Sequence, residues 1–203
     1  MLRKIKFYLP LLLIAILVQA AGEPLKLPKK KISLFKKSEI VPIDHEFHRI
    51  GKIWMRVTNF SMIGDDSYRE RTPSADWPGG SGNSYLYRGS LWLTGTRNDI
   101  RSTSGTEDQE YTPLALVEKE TILDGLAEHT WTKFTDAIQV DDAHVPLGLE
   151  VTQHTYAYGL SFADDFIIYK YYLKNVGLDT DDDGTVDDMS ALRDVHFTFR
   201  MDG

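Results

Sequence analysis

Alternation of apolar and polar residues constrains the fold of this chain more than any other feature of its sequence. From Val195 to Asp202, every second residue is apolar and the residues between are polar or charged. A period of two places the apolar side chains on one face, as a half-buried β-strand requires. Similar alternation predicts strands at Ile53–Thr58, Tyr85–Thr94, Glu150–Tyr158 and Asp165–Lys174.

Short polar turns separate the predicted strands, and little of the chain is compatible with a helix. Leu114–Glu128 is the one stretch whose pattern permits a short helix. Asp165–Lys174 carries apolar residues on both faces, which predicts a central position in a sheet. Many strands with at most one short helix predict an all-β fold, a mostly antiparallel β-sandwich.

The first twenty residues have the three parts of an export signal. Basic residues come first, an apolar run extends from Phe7 to Val18, and small residues precede Ala21. This run is much shorter than the roughly 20 apolar residues that span a membrane. We therefore expect residues 1–20 to be a signal peptide that is cleaved before Ala21. The protein would then be secreted or held at the cell surface, without a stable membrane span after cleavage.

Residues 21–40 are rich in lysine and contain two prolines, which is typical of an extended basic linker.

The charge of the expected mature chain is strongly negative. Removal of residues 1–20 takes three of 23 basic residues and none of 30 acidic residues, leaving 20 against 30 and a net charge of −10. Such a surface repels phosphate backbones and argues against a nucleic acid partner. The absence of cysteine excludes disulfides and a cysteine nucleophile.

The remaining residues, 41–203, are numerous enough for one β-sandwich domain with its own core. The alternating pattern continues almost to the last residue. We therefore expect this domain to be truncated at its C-terminal end and to belong to a longer chain.

An aspartate-rich segment, residues 178–188, carries the strongest chemical signal. Its carboxylates recur at alternate positions and are followed by a glycine, the order that is typical of calcium loops. The candidate metal ligands are Asp179, Asp181, Asp183, the backbone carbonyl of Thr185, and Asp187. Calcium takes about six to eight oxygen ligands, and alternate carboxylates on a tight loop can converge on one ion.

The segment differs from an EF-hand in two respects. An EF-hand has a bidentate glutamate at its twelfth position, where this chain has Ser190, and a predicted strand rather than a helix precedes the loop. The segment is more similar to the calcium loops of extracellular repeat modules, so we expect weak, submillimolar binding. The alternative is a solvated acidic turn, because aspartate and glycine are common turn residues.

Four aromatic residues flank a glycine-rich turn at 79–82. They are Trp77, Tyr85, Tyr87 and Trp92. If these rings are exposed, they could stack on sugars as in carbohydrate-binding sandwiches. The sequence favours the alternative that they fill the core, where aromatic side chains bury the most surface.

No catalytic motif stands out in the sequence. Acid pairs such as Glu118 with Glu120 would suit a glycan-active enzyme only at a separation that the sequence does not give. The leading hypothesis is a non-catalytic structural or interaction module with a calcium-stabilised loop. A carbohydrate-binding domain and, less favoured, a glycan-active enzyme are the alternatives. Its partners would be glycans or other domains of the same longer chain.

Four segments of the chain carry a resemblance to a known kind of domain. They read YLYRGSLWLTG, LEVTQHTYAYG, DDFIIYKYYLKNVG and LRDVHFTFRMDG. Together they resemble an uncharacterised accessory β-domain of large exported bacterial proteins, whose chains often carry a secreted peptidase or immunoglobulin-like modules and sometimes a C-terminal sorting domain. The resemblance implies a β-domain within a longer exported chain. It assigns no role to any residue.

Overall fold

A computed structural model describes residues 41–64, 72–106, 110–138 and 144–203. The predicted signal peptide and basic linker lie outside these described residues. The described chain is built from β-strands and one turn of 3-10 helix, which confirms the all-β prediction. None of the described residues forms a helix long and apolar enough to span a membrane.

Twelve strands occur in the described residues. In chain order they are β1 (His45–His48), β2 (Trp54–Thr58), β3 (Met62–Ile63), β4 (Ser74–Asp76), β5 (Arg88–Arg97), β6 (Ile100–Ser104), β7 (Thr112–Pro113), β8 (Glu118–Ile122), β9 (Ala127–Thr135), β10 (Leu149–Tyr158), β11 (Ile167–Asn175) and β12 (Arg193–Asp202). They form two antiparallel sheets that pack together as a β-sandwich.

The first sheet has the order β1–β2–β3–β5–β12, with β4 also paired to β2 and β6 to β5. Strand β5 follows the expected alternation, since every second side chain from Gly89 onward is buried. Its inward residues Leu91 and Leu93 lie opposite Phe199 and Phe197 of β12. The predicted strand Val195–Asp202 therefore forms, as the last strand in the order of the first sheet.

The second sheet has the order β11–β10–β9–β7, with β8 also paired to β9. Strand β10 alternates strictly between buried and half-buried residues. Inward side chains of both sheets meet in one core. Its buried members are Leu91, Leu93, Tyr111, Phe134, Leu147, Leu149 and Val151.

Two sequence predictions are wrong. Leu114–Glu128 is not a helix, because its middle forms β8, a 3-10 turn at Leu123–Gly125 follows, and β9 begins at Ala127. The chain reverses direction between β8 and β9 through positive φ angles at Leu123 and Asp124. The two strands pair with each other, and these cross-strand contacts stabilise the stretch, whose apolar residues do not form the continuous face that a helix would bury.

The stretch predicted as a central strand forms β11, which lies at the edge of its sheet. Apolar residues on its outward face stay exposed, with Ile168 at 43% and Tyr172 at 50%. The apolar second face is thus a surface feature and does not reflect burial on both sides.

Consecutive strands β11 and β12 belong to different sheets. The connection between them, residues 176–192, therefore crosses from one sheet to the other at one end of the sandwich. This crossover carries the aspartate-rich segment.

Candidate metal site

Backbone hydrogen bonds close the aspartate-rich segment into a loop. The N–H of Leu178 donates to the carbonyl of Asp188 at 2.9 Å, and the N–H of Asp188 donates back to the carbonyl of Leu178 at 3.1 Å. The N–H of Asp187 donates to the same Leu178 carbonyl at 2.9 Å. Residues 179–187 are therefore held between two paired ends. We call this segment the aspartate loop.

Inside the aspartate loop, the side chain of Asp179 turns the backbone back on itself. Its carboxylate accepts hydrogen bonds from the N–H of Gly184 at 2.7 Å and the N–H of Asp183 at 3.2 Å. Gly184 has φ of 84°, a left-handed conformation that glycine adopts without a steric penalty. The glycine of the sequence pattern therefore permits the turn that brings the carboxylates together.

Three carboxylates converge in the aspartate loop. Asp179, Asp181 and Asp187 each offer one oxygen, and these oxygens lie within 4.8 Å of one another. Two oxygens bound to one calcium ion at about 2.4 Å are at most about 5 Å apart, so the spacing suits a single cation. Asp179 is half-buried and the other two are exposed. This group can hold a metal ion.

The convergence concentrates negative charge. Loss of hydration raises the pKa of the Asp181 carboxyl, and the charges of Asp183 and Asp187 raise it further against a hydrogen bond from the Asp183 N–H. A bound cation would relieve this repulsion.

Of the four predicted carboxylate ligands, Asp183 lies outside the group of three carboxylates. The carboxylate of Asp183 accepts the backbone N–H of Thr185 at 2.8 Å and also accepts its hydroxyl. This contact turns the Asp183 side chain onto its own backbone. Asp187 belongs to the group and also accepts the N–H of Thr180 at 3.1 Å.

Arg97, which the sequence did not reveal, holds the base of the aspartate loop. We use this term for Asp188–Ser190, the residues that follow the loop and that Arg97 contacts. Its guanidinium is buried and donates to the carbonyl of Leu147 from Nε at 3.0 Å and from Nη2 at 2.8 Å. Nη2 also donates to Oδ1 of Asn175 at 2.6 Å, and Nη1 donates to the carbonyl of Ser190 at 2.7 Å. The alternation along β5 places Arg97 at an inward position, and a charged residue at such a position is the sequence signal that could have revealed it.

Asp188 belongs to this base and not to the metal-binding group. Its carboxylate accepts the N–H of Ser190 at 2.7 Å and Nδ2 of Asn98 at 2.8 Å, and it lies 3.8 Å from Nη1 of Arg97. Hydrogen bonds from Ser190 lower the pKa of Asp188 against the effect of burial, and the charge of Arg97 and the bond from Asn98 lower it further. The aspartate loop is therefore anchored on one side and exposes its carboxylates on the other.

The aromatic residues are not core residues, contrary to the interpretation that the sequence favoured. Trp77, Tyr85 and Tyr87 are exposed by 48%, 68% and 38% because they lie around a surface turn that precedes β5. Trp92 is half-buried on β5, donates from Nε1 to Oγ of Ser90 at 3.0 Å, and has the guanidinium of Arg200 5.9 Å from its ring centroid.

Tyr85 and Tyr87 line a surface cleft of about 720 Å³. Asp76 and Ser84 line the same cleft, where the hydroxyl of Ser84 donates to Oδ1 of Asp76 at 2.6 Å. Two of the four predicted aromatic residues thus share one cleft with polar groups. Trp77 and Trp92 are not among its described lining residues.

The structure therefore offers two candidate sites, the aspartate loop and the tyrosine-lined cleft. The first brings together three of the four predicted carboxylate ligands, and the second brings together two of the four aromatic residues. No family model, no curated protein and no solved structure matches this chain.

Proposed function

We propose that this chain is a non-catalytic structural or interaction module of a larger secreted or cell-surface protein, and that calcium binds and stabilises its aspartate loop. The convergence of Asp179, Asp181 and Asp187 carries the proposal. Export and membership of a longer chain are supported by the N-terminal pattern and by the resemblance to accessory β-domains.

Calcium suits the site better than other common metals. The three converging ligands are carboxylate oxygens, the hard donors that calcium and magnesium prefer over zinc or copper. Magnesium demands near-ideal octahedral geometry and retains several waters, whereas calcium tolerates an irregular loop. With three converging carboxylates and a serine at the twelfth position, we expect submillimolar affinity.

The position of the aspartate loop gives calcium a structural role. The loop lies in the crossover between the two sheets, and Arg97 joins its base to Leu147 and Asn175 beside the core. A cation that fixes residues 179–187 would remove conformational freedom from this crossover. The bound state would hold the two sheets together at this end of the sandwich.

Calorimetric titration of calcium into the exported form, which we expect to begin at Ala21, tests the proposal. We expect one site per chain with submillimolar affinity and much weaker binding of magnesium. Asp181→Asn should weaken calcium binding by about tenfold or more, because it removes one charged ligand.

Asp182→Asn is the matched control for this titration. It removes the same charge at the neighbouring position, whose carboxylate is outside the converging group, and asparagine tolerates the φ of 56° there. Equal weakening by both substitutions would show that calcium responds to diffuse charge and not to a built site.

The exposed tyrosines favour carbohydrate binding as a second candidate function. Tyr85 and Tyr87 lie on a cleft beside Asp76, and aromatic faces next to polar groups are suited to sugar rings. Asp76 is the one acidic residue among the described residues that line the cleft, so a glycan-active enzyme would need a second carboxylate from elsewhere.

A glycan array tests this second candidate. Binding should fall on Tyr85→Ala and Tyr87→Ala and stay unchanged on Phe162→Ala, which removes an aromatic ring that is 81% exposed in a different turn. An array without any signal above background would remove the candidate.

A further inference from the structure

Two histidines lie side by side on the outer face of the second sheet. His129 of β9 and His154 of β10 are both half-buried, and the strict alternation of β10 turns His154 away from the core. Nε2 of His129 is 3.0 Å from Nδ1 of His154. The ring planes differ by 10° and the ring centroids are 5.2 Å apart, so the rings lie end to end with these nitrogens between them. This is the arrangement of a hydrogen bond between the two rings.

A carboxylate fixes the orientation of the first ring. Glu120 of β8 lies directly across from His129, and its Oε1 is 2.8 Å from Nδ1 of His129. Because an ionised carboxylate can only accept, Nδ1 of His129 carries the hydrogen. The ring of His129 also stacks on Tyr156, with centroids 4.5 Å apart and planes within 2°. Glu120, His129 and His154 therefore form a chain of hydrogen bonds across three strands, which we call the histidine chain.

The histidine chain is intact with either of two numbers of protons. When both rings are neutral, Nε2 of His129 has a lone pair and accepts the hydrogen on Nδ1 of His154. When one proton is added, His129 carries a hydrogen on both nitrogens and donates to Glu120 and to His154. This proton is then held by two charge-assisted hydrogen bonds, which are stronger than neutral ones.

A second proton is incompatible with the bond between the rings. Both facing nitrogens would carry a hydrogen, 3.0 Å apart, and two cations would lie next to each other. Partial burial, the charge of His129 and the charge of Lys170 lower the pKa of His154. Lys170 lies directly across from His154 on β11, so the second cation would have a positive neighbour on either side.

The other charged groups on this face do not supply a counter-charge to His154. Nζ of Lys133 pairs with Glu150 at 3.6 Å, and Nζ of Lys170 lies 4.7 Å from the ring centroid of Tyr172. Among the described residues, Glu120 is the one acid that is bonded to either ring of the histidine chain. The remaining titratable side chains on this face are Glu118, Tyr156, Tyr158 and Lys174.

We propose that the histidine chain is an acid-sensitive lock on the outer face of the second sheet. With at most one added proton it joins β8, β9 and β10. A second proton breaks the bond between the rings and turns His154 away from His129. The ring of Tyr172 packs edge-on against His154 at a centroid distance of 5.7 Å, so this movement also changes the surface between β10 and β11.

The lock makes stability depend on pH in a defined direction. Because the pKa of His154 is lowered from its ordinary 6.5, the unfolded chain binds this proton more readily than the folded protein does. The contribution of the lock to stability is therefore complete above about pH 6.5 and is lost as the pH falls below it. His154→Gln should accordingly lose less stability than the unmodified protein when the pH is lowered from about 7 to about 5.

Nitrogen-15 NMR of the labelled exported form tests the lock directly. Near neutral pH, we expect a scalar coupling between Nε2 of His129 and Nδ1 of His154, which only a hydrogen bond between the rings can transmit. The coupling should disappear as His154 takes up its proton. Rings without a coupling at neutral pH, or a coupling that persists when both rings are protonated, would overturn the proposal.

Titration of the histidine ring signals in a variant tests the interaction between the two rings. His129→Gln keeps a hydrogen-bonding side chain and removes the neighbouring cation, so the titration midpoint of His154 should rise by about one pH unit. His196→Gln is the matched control, because it is the same substitution at an exposed histidine of the first sheet, and it should leave this midpoint unchanged. A midpoint of His154 that is the same with and without His129 would show that the rings titrate independently and that no lock exists.

Discussion

Arg97 should contribute more to stability than any surface charge of this protein. Its side chain makes hydrogen bonds to the carbonyls of Leu147 and Ser190 and to the side chain of Asn175. Arg97→Met keeps a long apolar stem and removes all of these donors. The buried carbonyl of Leu147 then loses both guanidinium donors, whereas the carbonyl of Ser190 keeps Nδ2 of Asn175 and Oδ1 of Asn175 keeps the N–H of Gly177. The cost of burying the guanidinium is also removed. We expect a net loss of about 3–5 kcal/mol, since each hydrogen bond from a charged donor contributes about 1.5–3 kcal/mol and an unsatisfied buried carbonyl costs about 1–3 kcal/mol.

Urea denaturation at constant calcium measures this loss. With a slope of about 2 kcal/mol per molar urea, the expected loss lowers the unfolding midpoint by about 2 M without changing the slope. Arg193→Met is the matched control, because the side chain of Arg193 is 63% exposed and pairs with an exposed Asp99. It should change stability by less than about 1 kcal/mol.

A midpoint for Arg97→Met that stays within about 0.3 M of the unmodified protein would refute this reasoning. It would mean that water replaces the guanidinium at the base of the aspartate loop without cost. Under the expected outcome, Arg97→Met loosens the base of the aspartate loop. It should then also weaken calcium binding, because Ser190 and Asp188 would no longer be held in place.

Further predictions concern the half-buried Glu128 and the fully buried Asp136. Hydrogen bonds from His48 and Lys119 outweigh the effect of burial and hold the pKa of Glu128 at about 2, below its ordinary 4.5. Because this pKa is depressed, Glu128 stabilises the fold above pH 4.5, and this stabilisation is lost as pH falls towards 2. The loss in the free energy of unfolding is at most about 3 kcal/mol. In an acid titration of stability, Glu128→Gln should therefore show a shallower loss than the unmodified protein. Asp136 is fully buried and accepts the hydroxyl of Ser104 at 2.6 Å and two backbone N–H groups at 2.7 and 2.6 Å. Asp136→Asn places an amide donor against these donors, so thermal unfolding should show a loss of stability of about 2–3 kcal/mol. Asp136→Glu should also destabilise the protein, because the longer side chain does not fit these three donors. A Glu variant as stable as the unmodified protein would contradict this prediction.

The sequence predicted which residues face inward better than it predicted where each strand lies. Alternation depends only on one buried face, and β5 and β10 follow it closely. Sheet order depends on long-range pairing, for which period two contains no information. This is why Asp165–Lys174 could be taken for a central strand although β11 lies at an edge.

The candidate metal site was predictable in part for the same reason. The spacing of Asp179, Asp181 and Asp187 around a glycine is a local property, and these carboxylates do converge. Asp183 departs from the expected set because its nearest donors are on Thr185, two residues away. Arg97 is distant in sequence from the loop that it supports, so only the folded chain relates the two.

The most direct test of the central claim is thermal unfolding of the exported form with calcium and then with excess chelator. Calcium that binds only the folded state, at about ten times its dissociation constant, adds about 1.4 kcal/mol. For a domain of this size, that gain raises the unfolding temperature by about 3–6 °C. We expect this rise with calcium, its loss in Asp181→Asn and its retention in Asp182→Asn. An unfolding temperature that is the same in calcium and in chelator would contradict the account and make the aspartate loop a solvated turn.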